Sequence, residues 1–395
     1  MKVAIVHNTY QQRGGEDVVV DQESRLLESQ GHTVICYRRS NDEMEQFSKP
    51  RQLLMVKDIV HSGSSKREIR NLIRTEKPDL VHVHNTFMMI SPSVYEVCQE
   101  ENVPVLQTLH NYRLMCPGWT LSRDGEVCEE CITDGLWRGI LHGCYRNSRA
   151  MTAAVALMLK VHRMRGTWSD CVDGYVTLSE FARHKFIDGG LPARKIHVKP
   201  NFVECDPGMR TTAGNYALFV GRLSPEKGTN ILISAWSKLK NSLPLFIVGE
   251  GPIRETLEAQ VASLGLTNIT FRGWLPRDQI LMAMKEAAFL TMPSVWYEGF
   301  PMTIAESFAC GTPVICSRLG GMQEIVTDQH NGLHFTAGDP QDLAGKIEWA
   351  CSHPARMTEM GKMARKEYES RYTAEKNYAL LMDIYERTMS ACARN

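Results

Sequence analysis

The sequence predicts an α/β protein built from two doubly wound, parallel-sheet domains. Three observations predict it. Short apolar runs recur along the chain, each followed by a loop and a helical pattern, the loop often glycine-bearing. The 395 residues are too many for one hydrophobic core. A polar stretch at 201–215, with Pro207, Gly208 and Gly214, interrupts the alternation as a linker.

The elements follow in order. Residues 3–6 form the first strand, the loop Arg13-Gly14-Gly15-Glu16 follows, and a helical pattern runs over 16–30 before a second strand at 33–36. Further strands are expected at 80–83, 103–109, 175–178 and 196–198. Beyond the linker come strands at 217–220, 245–248, 288–292 and 313–316, and 356–395 reads as wholly helical. The expected division is a first domain over 1–205 with a cysteine-bearing insertion at about 112–147, a second domain over 206–375, and a final helix at 376–395 packing back on the first domain. In doubly wound sheets ligands bind beyond the carboxyl ends of the strands. Each cluster described below sits at such an end.

Composition narrows the classes. Hydrophobic residues at 43% and charged residues at 23% fit a globular protein and exclude a disordered or fibrous one. Lys+Arg 45 balances Asp+Glu 45, so no nucleic-acid partner is expected. Lys2 is followed by only four apolar residues before His7 and Asn8, too few for a signal peptide. The longest nearly apolar stretch, 150–159, contains Thr152 and is too short to span a bilayer. A cytoplasmic location is therefore expected, where twelve cysteines serve as thiols or metal ligands rather than disulfides.

Two carboxylates lie in one run, Glu298-Gly299-Phe300-Pro301-Met302-Thr303-Ile304-Ala305-Glu306. Gly299 and Pro301 read as a loop entering a helix, and Met302, Ile304, Ala305 and Phe308 make that helix apolar and buried. Eight positions is slightly more than two turns, so both carboxylates are expected to face one cleft. Carboxylates accept hydrogen bonds from hydroxyls, and a helix N-terminus attracts phosphate. Together they fit a sugar joined to a nucleotide diphosphate. The plainer reading is one structural salt bridge and one helix-start glutamate.

A second run, Gly221-Arg222-Leu223-Ser224-Pro225-Glu226-Lys227-Gly228, follows a buried strand and precedes a helix. Arg222 offers a planar fork of donors and Lys227 a point charge, both suited to a diphosphate. The spacing is not that of a G-x-x-x-x-G-K-[ST] loop. Its plainer reading is a loop with two solvated cations. Gly14 and Gly15 let a backbone approach a ligand closely, or simply make a tight turn. His110 ends a strand and precedes Asn111-Tyr112-Arg113, where it could donate to a sugar hydroxyl or a reacting oxygen. A structural histidine is the alternative. His84-Asn85-Thr86 ends another strand and could line an acceptor pocket.

These runs, with Val248-Gly249-Glu250-Gly251-Pro252 and with Gly320-Gly321 and Glu324, closely resemble the family 4 retaining glycosyltransferases, in the family's order from the first strand to about Pro340. The resemblance implies the GT-B fold, two Rossmann-like domains with the donor site in the cleft between them. It implies transfer of a hexose from a UDP- or GDP-sugar to a glycan or lipid-linked glycan acceptor, in cell-surface polysaccharide synthesis. In roles, it implies that Arg222 and Lys227 hold the diphosphate, that Glu298 holds donor-sugar hydroxyls, and that Phe300, Pro301, Met302 and Thr303 lie near the phosphates. Glu306 would hold the ribose, His110 would sit near the reacting carbon, and Gly14, Gly15 and Gly249 would border the donor. Glu16, His84 and Asn111 would face the acceptor. Retention would follow front-face attack with the leaving phosphate as base, or a covalent intermediate. No Asp-x-Asp occurs, so no catalytic metal or other cofactor for catalysis is expected. The rivals are a non-catalytic nucleotide-sugar binding subunit, a nucleotide-sugar epimerase, and a phosphorylase, for which the chain is too short.

Two further features stand apart. Cys116, Cys128, Cys131 and Cys144 lie in one segment with a central C-x-x-C, which suits a structural Zn²⁺. Unliganded thiols or two redox disulfides are the alternatives. Arg146, Arg149, Lys160, Arg163 and Arg165 flank an apolar helix containing Met151, Val155, Met158 and Leu159, a pattern that could lie on the cytoplasmic membrane face. The plainer reading is a helix covering the first domain's sheet.

Overall fold

The computed structural model describes residues 1–11, 14–47, 56–212, 214–239 and 243–392. Arg13 of the first-loop run lies outside them. The chain forms two compact units. One comprises Met1–Leu121, Cys128–Pro200 and Asn377–Asn395, the other Ser122–Val127 and Asn201–Lys376.

The first unit holds a six-stranded sheet of β1 (Lys2–Thr9), β2 (Thr33–Ser40), β3 (Leu80–Asn85), β4 (Val105–Leu109), β7 (Gly174–Thr177) and β8 (Ile196–Val198), in the order β2-β1-β3-β4-β7-β8 and parallel throughout. β5 (Ser122–Arg123) and β6 (Glu126–Val127) form a separate antiparallel hairpin. β3 and β4 are buried at every position, as central strands covered by helices on both faces must be. β2 is at the edge and is exposed at alternate positions over part of its length.

The second unit repeats the plan with β9 (Ala217–Val220), β10 (Leu245–Val248), β11 (Ile269–Gly273), β12 (Phe289–Met292), β13 (Val314–Ser317) and β14 (Gly332–Phe335), in the order β11-β10-β9-β12-β13-β14. The two flanking strands β11 and β14 were not among the sequence expectations. β11 is polar on one face, and β14 is four residues long and includes His334. Neither offers the apolar run that marked the inner strands.

The polar stretch after Pro200 is tied to the second unit. Val203 N donates to Tyr372 O at 2.9 Å, Arg210 Nη1 to Ala287 O at 2.7 Å, and Arg365 Nη1 to Asp206 Oδ1 at 2.6 Å. The same tie breaks the C-terminal helical run into Pro354–Arg371 and Ala374–Cys392, because Thr373 forms a β-bridge with Val203. The last helix then completes the first unit. Its Leu381, Ile384 and Tyr385 share one core with Val3, Ile5, Val20, Leu27, Leu80, Leu106 and Val176.

Candidate functional site

In the second unit, the loops at the carboxyl ends of β9, β10 and β12 are fastened backbone to backbone. Leu223 N donates to Glu250 O at 2.9 Å and Val295 N to Glu226 O at 3.0 Å. Glycine makes this approach achievable. A Cβ on Gly228 (φ 67°) would lie 2.0 Å from Pro293 O, and one on Gly249 (φ 136°) would lie 1.9 Å from Gly221 O. Gly249 therefore has a packing role of its own, whatever it borders.

This scaffold delivers Lys227 to Glu298. Lys227 Nζ donates to Glu298 Oε1 at 2.8 Å, and the Ser294 hydroxyl donates to the same oxygen at 2.7 Å. Glu298 is buried, whereas Arg222 is exposed and has no partner among the described residues. The helical-turn argument for the two glutamates fails. The helix is Met302–Ala309, so Glu298 precedes it in the loop and only Glu306 rides on it. Glu306 pairs instead with Arg277, Nε to Oε1 at 3.1 Å, and burial pushes its carboxyl above the usual range. Pro301 caps this helix without a side-chain acceptor, which leaves the Met302 and Thr303 amides available to an anion. Phe300 is held by an edge contact with Tyr372, ring centres 5.7 Å apart.

In the first unit, the histidines at the carboxyl ends of the strands form a chain. His84 Nδ1 lies 3.0 Å from His110 Nε2, with the rings stacked. His84 Nε2 faces Glu23 Oε1 at 3.5 Å. On its other oxygen Glu23 takes Lys199 Nζ at 2.8 Å. Burial alone would raise Glu23, but Lys199 and His82 hold it well below the usual carboxylate range. Burial drives His84 down to about 3 and His110 well below the histidine norm, so both rings are neutral. The His84 Nδ1–His110 Nε2 contact between neutral rings carries one proton, so one ring donates and the other accepts. Glu23, His82 and His84 could in principle ligate a metal, their donor atoms lying within 4.8 Å. The Lys199 ammonium already supplies the cation there, and His82 is engaged by the Tyr385 hydroxyl at 2.9 Å and the Thr108 hydroxyl at 2.8 Å.

Glu16 and Asn111 meet beside this chain. Asn111 Nδ2 lies 3.4 Å and the Tyr10 hydroxyl 3.1 Å from Glu16 Oε2. Glu16 Oε1 is shielded from solvent without a hydrogen-bond partner among the described residues, and burial pushes the carboxyl up to about 8. Gly14 N donates to Asp17 Oδ2 at 2.8 Å, and Asp17 Oδ1 meets His7 Nε2 at 2.8 Å. Neither Gly14 nor Gly15 needs to be glycine for packing. A Cβ on Gly14 would meet only Asp17 Oδ2, at 3.9 Å, and one on Gly15 would meet nothing within 4 Å.

The sequence of the Glycosyltransferase Family 4 group matches residues 13–207, and that of the Glycosyl transferases group 1 matches residues 210–367. The chain belongs to the family 4, group 1 glycosyltransferases. Uncharacterized glycosyltransferase MJ1178 of Methanocaldococcus jannaschii is 34% identical over 172 residues, covering 44% of this chain and 48% of that one. MJ1607 of the same organism is 24% identical, covering 82% and 79%. D-rhamnosyltransferase WbpZ of Pseudomonas aeruginosa is 31% identical, covering 40% and 42%. The chain thus spans less than half the length of two of these three relatives. Among solved structures, sucrose-phosphate synthase from Thermosynechococcus elongatus superposes with a TM-score of 0.74 at 18% identity over 99% of both chains. Anabaena Alr3699/HepE in complex with UDP superposes at 0.69 and 17% identity, covering 97% and 99%. Both establish the GT-B fold.

Several members of these clusters escaped the sequence reading of this glycosyltransferase family chain. Glu23, Lys199, His82 and Asp17 sit in helices, strands or loops with no local motif, and Ser294 and Arg277 looked like ordinary loop and helix-start residues. The cation–apolar helix needs a correction. In Arg149–Met164, Val155, Met158 and Leu159 are buried and face the unit's interior, not a membrane. Arg149 donates to Leu141 O, Arg163 donates to Leu114 O and Arg165 pairs with Glu96, so at least three of the flanking cations are engaged. Met151, Leu157 and Met164 are exposed. Among the described residues no helix is long and apolar enough to cross a membrane.

Proposed function

We propose that this chain transfers a hexose from a UDP- or GDP-sugar to a glycan or lipid-linked glycan acceptor, with retention at the anomeric carbon and without a catalytic metal. The observation that carries the proposal is the Lys227–Glu298 pair beside the uncapped amides of Met302 and Thr303. It offers a cation and free N–H groups for a diphosphate, and a carboxylate for hydroxyls. Arg222, exposed on the same loop as Lys227, adds a second cation. As the glycosidic C–O bond breaks, negative charge grows on the departing diphosphate, and these groups stabilise it in the transition state. The leaving phosphate takes the acceptor's proton on the same face, which preserves configuration. Glu298 Oε1 is already occupied as an acceptor by two donors, which suits holding a hydroxyl better than attacking carbon.

Support for the donor class comes from an Anabaena Alr3699/HepE structure in complex with UDP-glucose, and support for a biosynthetic transferase from the amylovoran biosynthesis glycosyltransferase AmsK of Erwinia amylovora, 27% identical over 224 residues. Contact with the inner membrane surface would use Met151, Leu157, Lys160 and Met164, the outward side of the helix Arg149–Met164. The test is a thermal-shift screen against UDP- and GDP-sugars. A ligand at about 100 times its dissociation constant adds roughly 2.7 kcal/mol of stability. Slow hydrolysis of the stabilising donor separates an enzyme from a binding subunit. Activity that survives brief EDTA treatment supports the metal-free route, and a rapid loss restored by Mg²⁺ or Mn²⁺ contradicts it.

A further inference from the structure

We propose that Cys116, Cys128, Cys131 and Cys144 bind one structural Zn²⁺ that staples the segment following β4. The segment needs a staple. Between 121 and 144 the buried residues are Leu121, Cys131, Gly139 and Gly143, so one large apolar side chain is all the core it has. Trp137 and Leu141 point outward, 55% and 44% exposed.

The fold nevertheless brings the sulfurs' carriers together. Gly139 packs between Cys131 and Pro117, the neighbour of Cys116, so that a Cβ there would lie 3.4 Å from the Pro117 ring. Two glycines clear the space. A Cβ on Gly118 would lie 3.2 Å from Cys144 Cβ and 3.6 Å from Cys116 Sγ, and one on Gly139 would lie 3.2 Å from Cys131 Sγ. Cys144 arrives just after Gly143, which ends the helix Trp137–His142 in the left-handed conformation, φ 66°. Cys128 is the fourth. Its N–H donates to Leu121 O at 2.8 Å, which ties it to the residues that follow Cys116. Spaced three residues apart around the start of the turn Glu130–Thr133, Cys128 and Cys131 can present sulfur on one side.

Four thiolates in a compact set select a soft, tetrahedral ion, and Zn²⁺ is the common one. Among the described residues, the only triad of metal-binding side chains within 4.8 Å is Glu23, His82 and His84. The four thiols do not form so close a set in this structure, so metal loading has to draw their side chains together.

Protein purified without chelator is analysed by elemental and native mass spectrometry, and should carry about one Zn²⁺ per chain, as a four-thiolate site requires. Substitution with Co²⁺ should give the thiolate-to-metal charge-transfer bands of a tetrahedral site. Cys128→Ser should lose the ion, while Cys171→Ser, outside the segment, should keep it. If Cys128→Ser does not fold, alkylation of the folded wild-type protein decides. Protection of these four thiols that ends on metal extraction supports the site. Metal-free folded protein with all four thiols reactive, or with disulfides in its intact mass, overturns it.

Discussion

Lys227 Nζ lies 2.8 Å from Glu298 Oε1, and the Ser294 hydroxyl meets the same oxygen at 2.7 Å. Seventy-one positions separate the lysine from the glutamate. Under the proposed function, a diphosphate that draws the ammonium away would leave that oxygen with the Ser294 donor and room for a sugar hydroxyl.

Glu298→Gln and Lys227→Ala should each lower turnover by about 10²–10³-fold, the scale of one preorganised contact. Because the two act as a unit, the double variant should fall little below the weaker single one. Initial rates at saturating donor measure this. Losses that multiply would show that the residues act separately.

Glu306→Ala should weaken binding of the free nucleotide diphosphate with a smaller effect on turnover, since ribose contacts are shared by ground and transition states. The Arg277 partner sharpens the expectation, because removing Glu306 leaves that guanidinium with Glu204 alone, 3.8 Å away. Calorimetric dissociation constants test it. An unchanged constant beside a large loss of turnover would move Glu306 into the chemistry.

Glu16 carries a pH signature. Its folded-state pKa of about 8 exceeds the ordinary value of 4.5. Between those values the unfolded chain has lost a proton that the folded chain retains, so stability falls as pH rises through the window. Glu16→Gln removes this loss. Melting temperatures of variant and wild type should agree near pH 4 and diverge towards pH 8, with the variant higher. Parallel curves would mean that Glu16 ionises normally.

Lys199→Met should destabilise the first unit by about 3–5 kcal/mol, because Glu23 is then left buried without its cation. Both side chains are 1% exposed. Adding Glu23→Gln should recover much of the loss. Denaturant midpoints for the two variants measure it, and equal midpoints for single and double variants would refute the pairing.

The inner strands were legible because central parallel strands must be apolar on both faces, and residues 217–220 and 245–248 match β9 and β10 end to end. The flanking strands were not, since one face of β11 meets water. In the second unit's cluster the sequence named Lys227 and Glu298 but could not pair them, because no local rule links a loop after β9 to a loop after β12. Glu23 and Lys199 were invisible for a related reason. A lone charge in an amphipathic helix and a lone charge after a strand look solvated until the fold joins them across 176 positions.

The return of the last helix to the first unit sets an order of events. Tyr385 reaches His82 at 2.9 Å across 303 positions, and Leu381 and Ile384 belong to the core begun by Val3 and Ile5. On the ribosome, the first unit's sheet must wait with that core incomplete until the helix Ala374–Cys392 has emerged. The second unit, synthesised later, is continuous apart from one hairpin and can close first. The first unit is thus completed by residues made after the second, and its core strands β1 and β3 stay partly uncovered in the meantime.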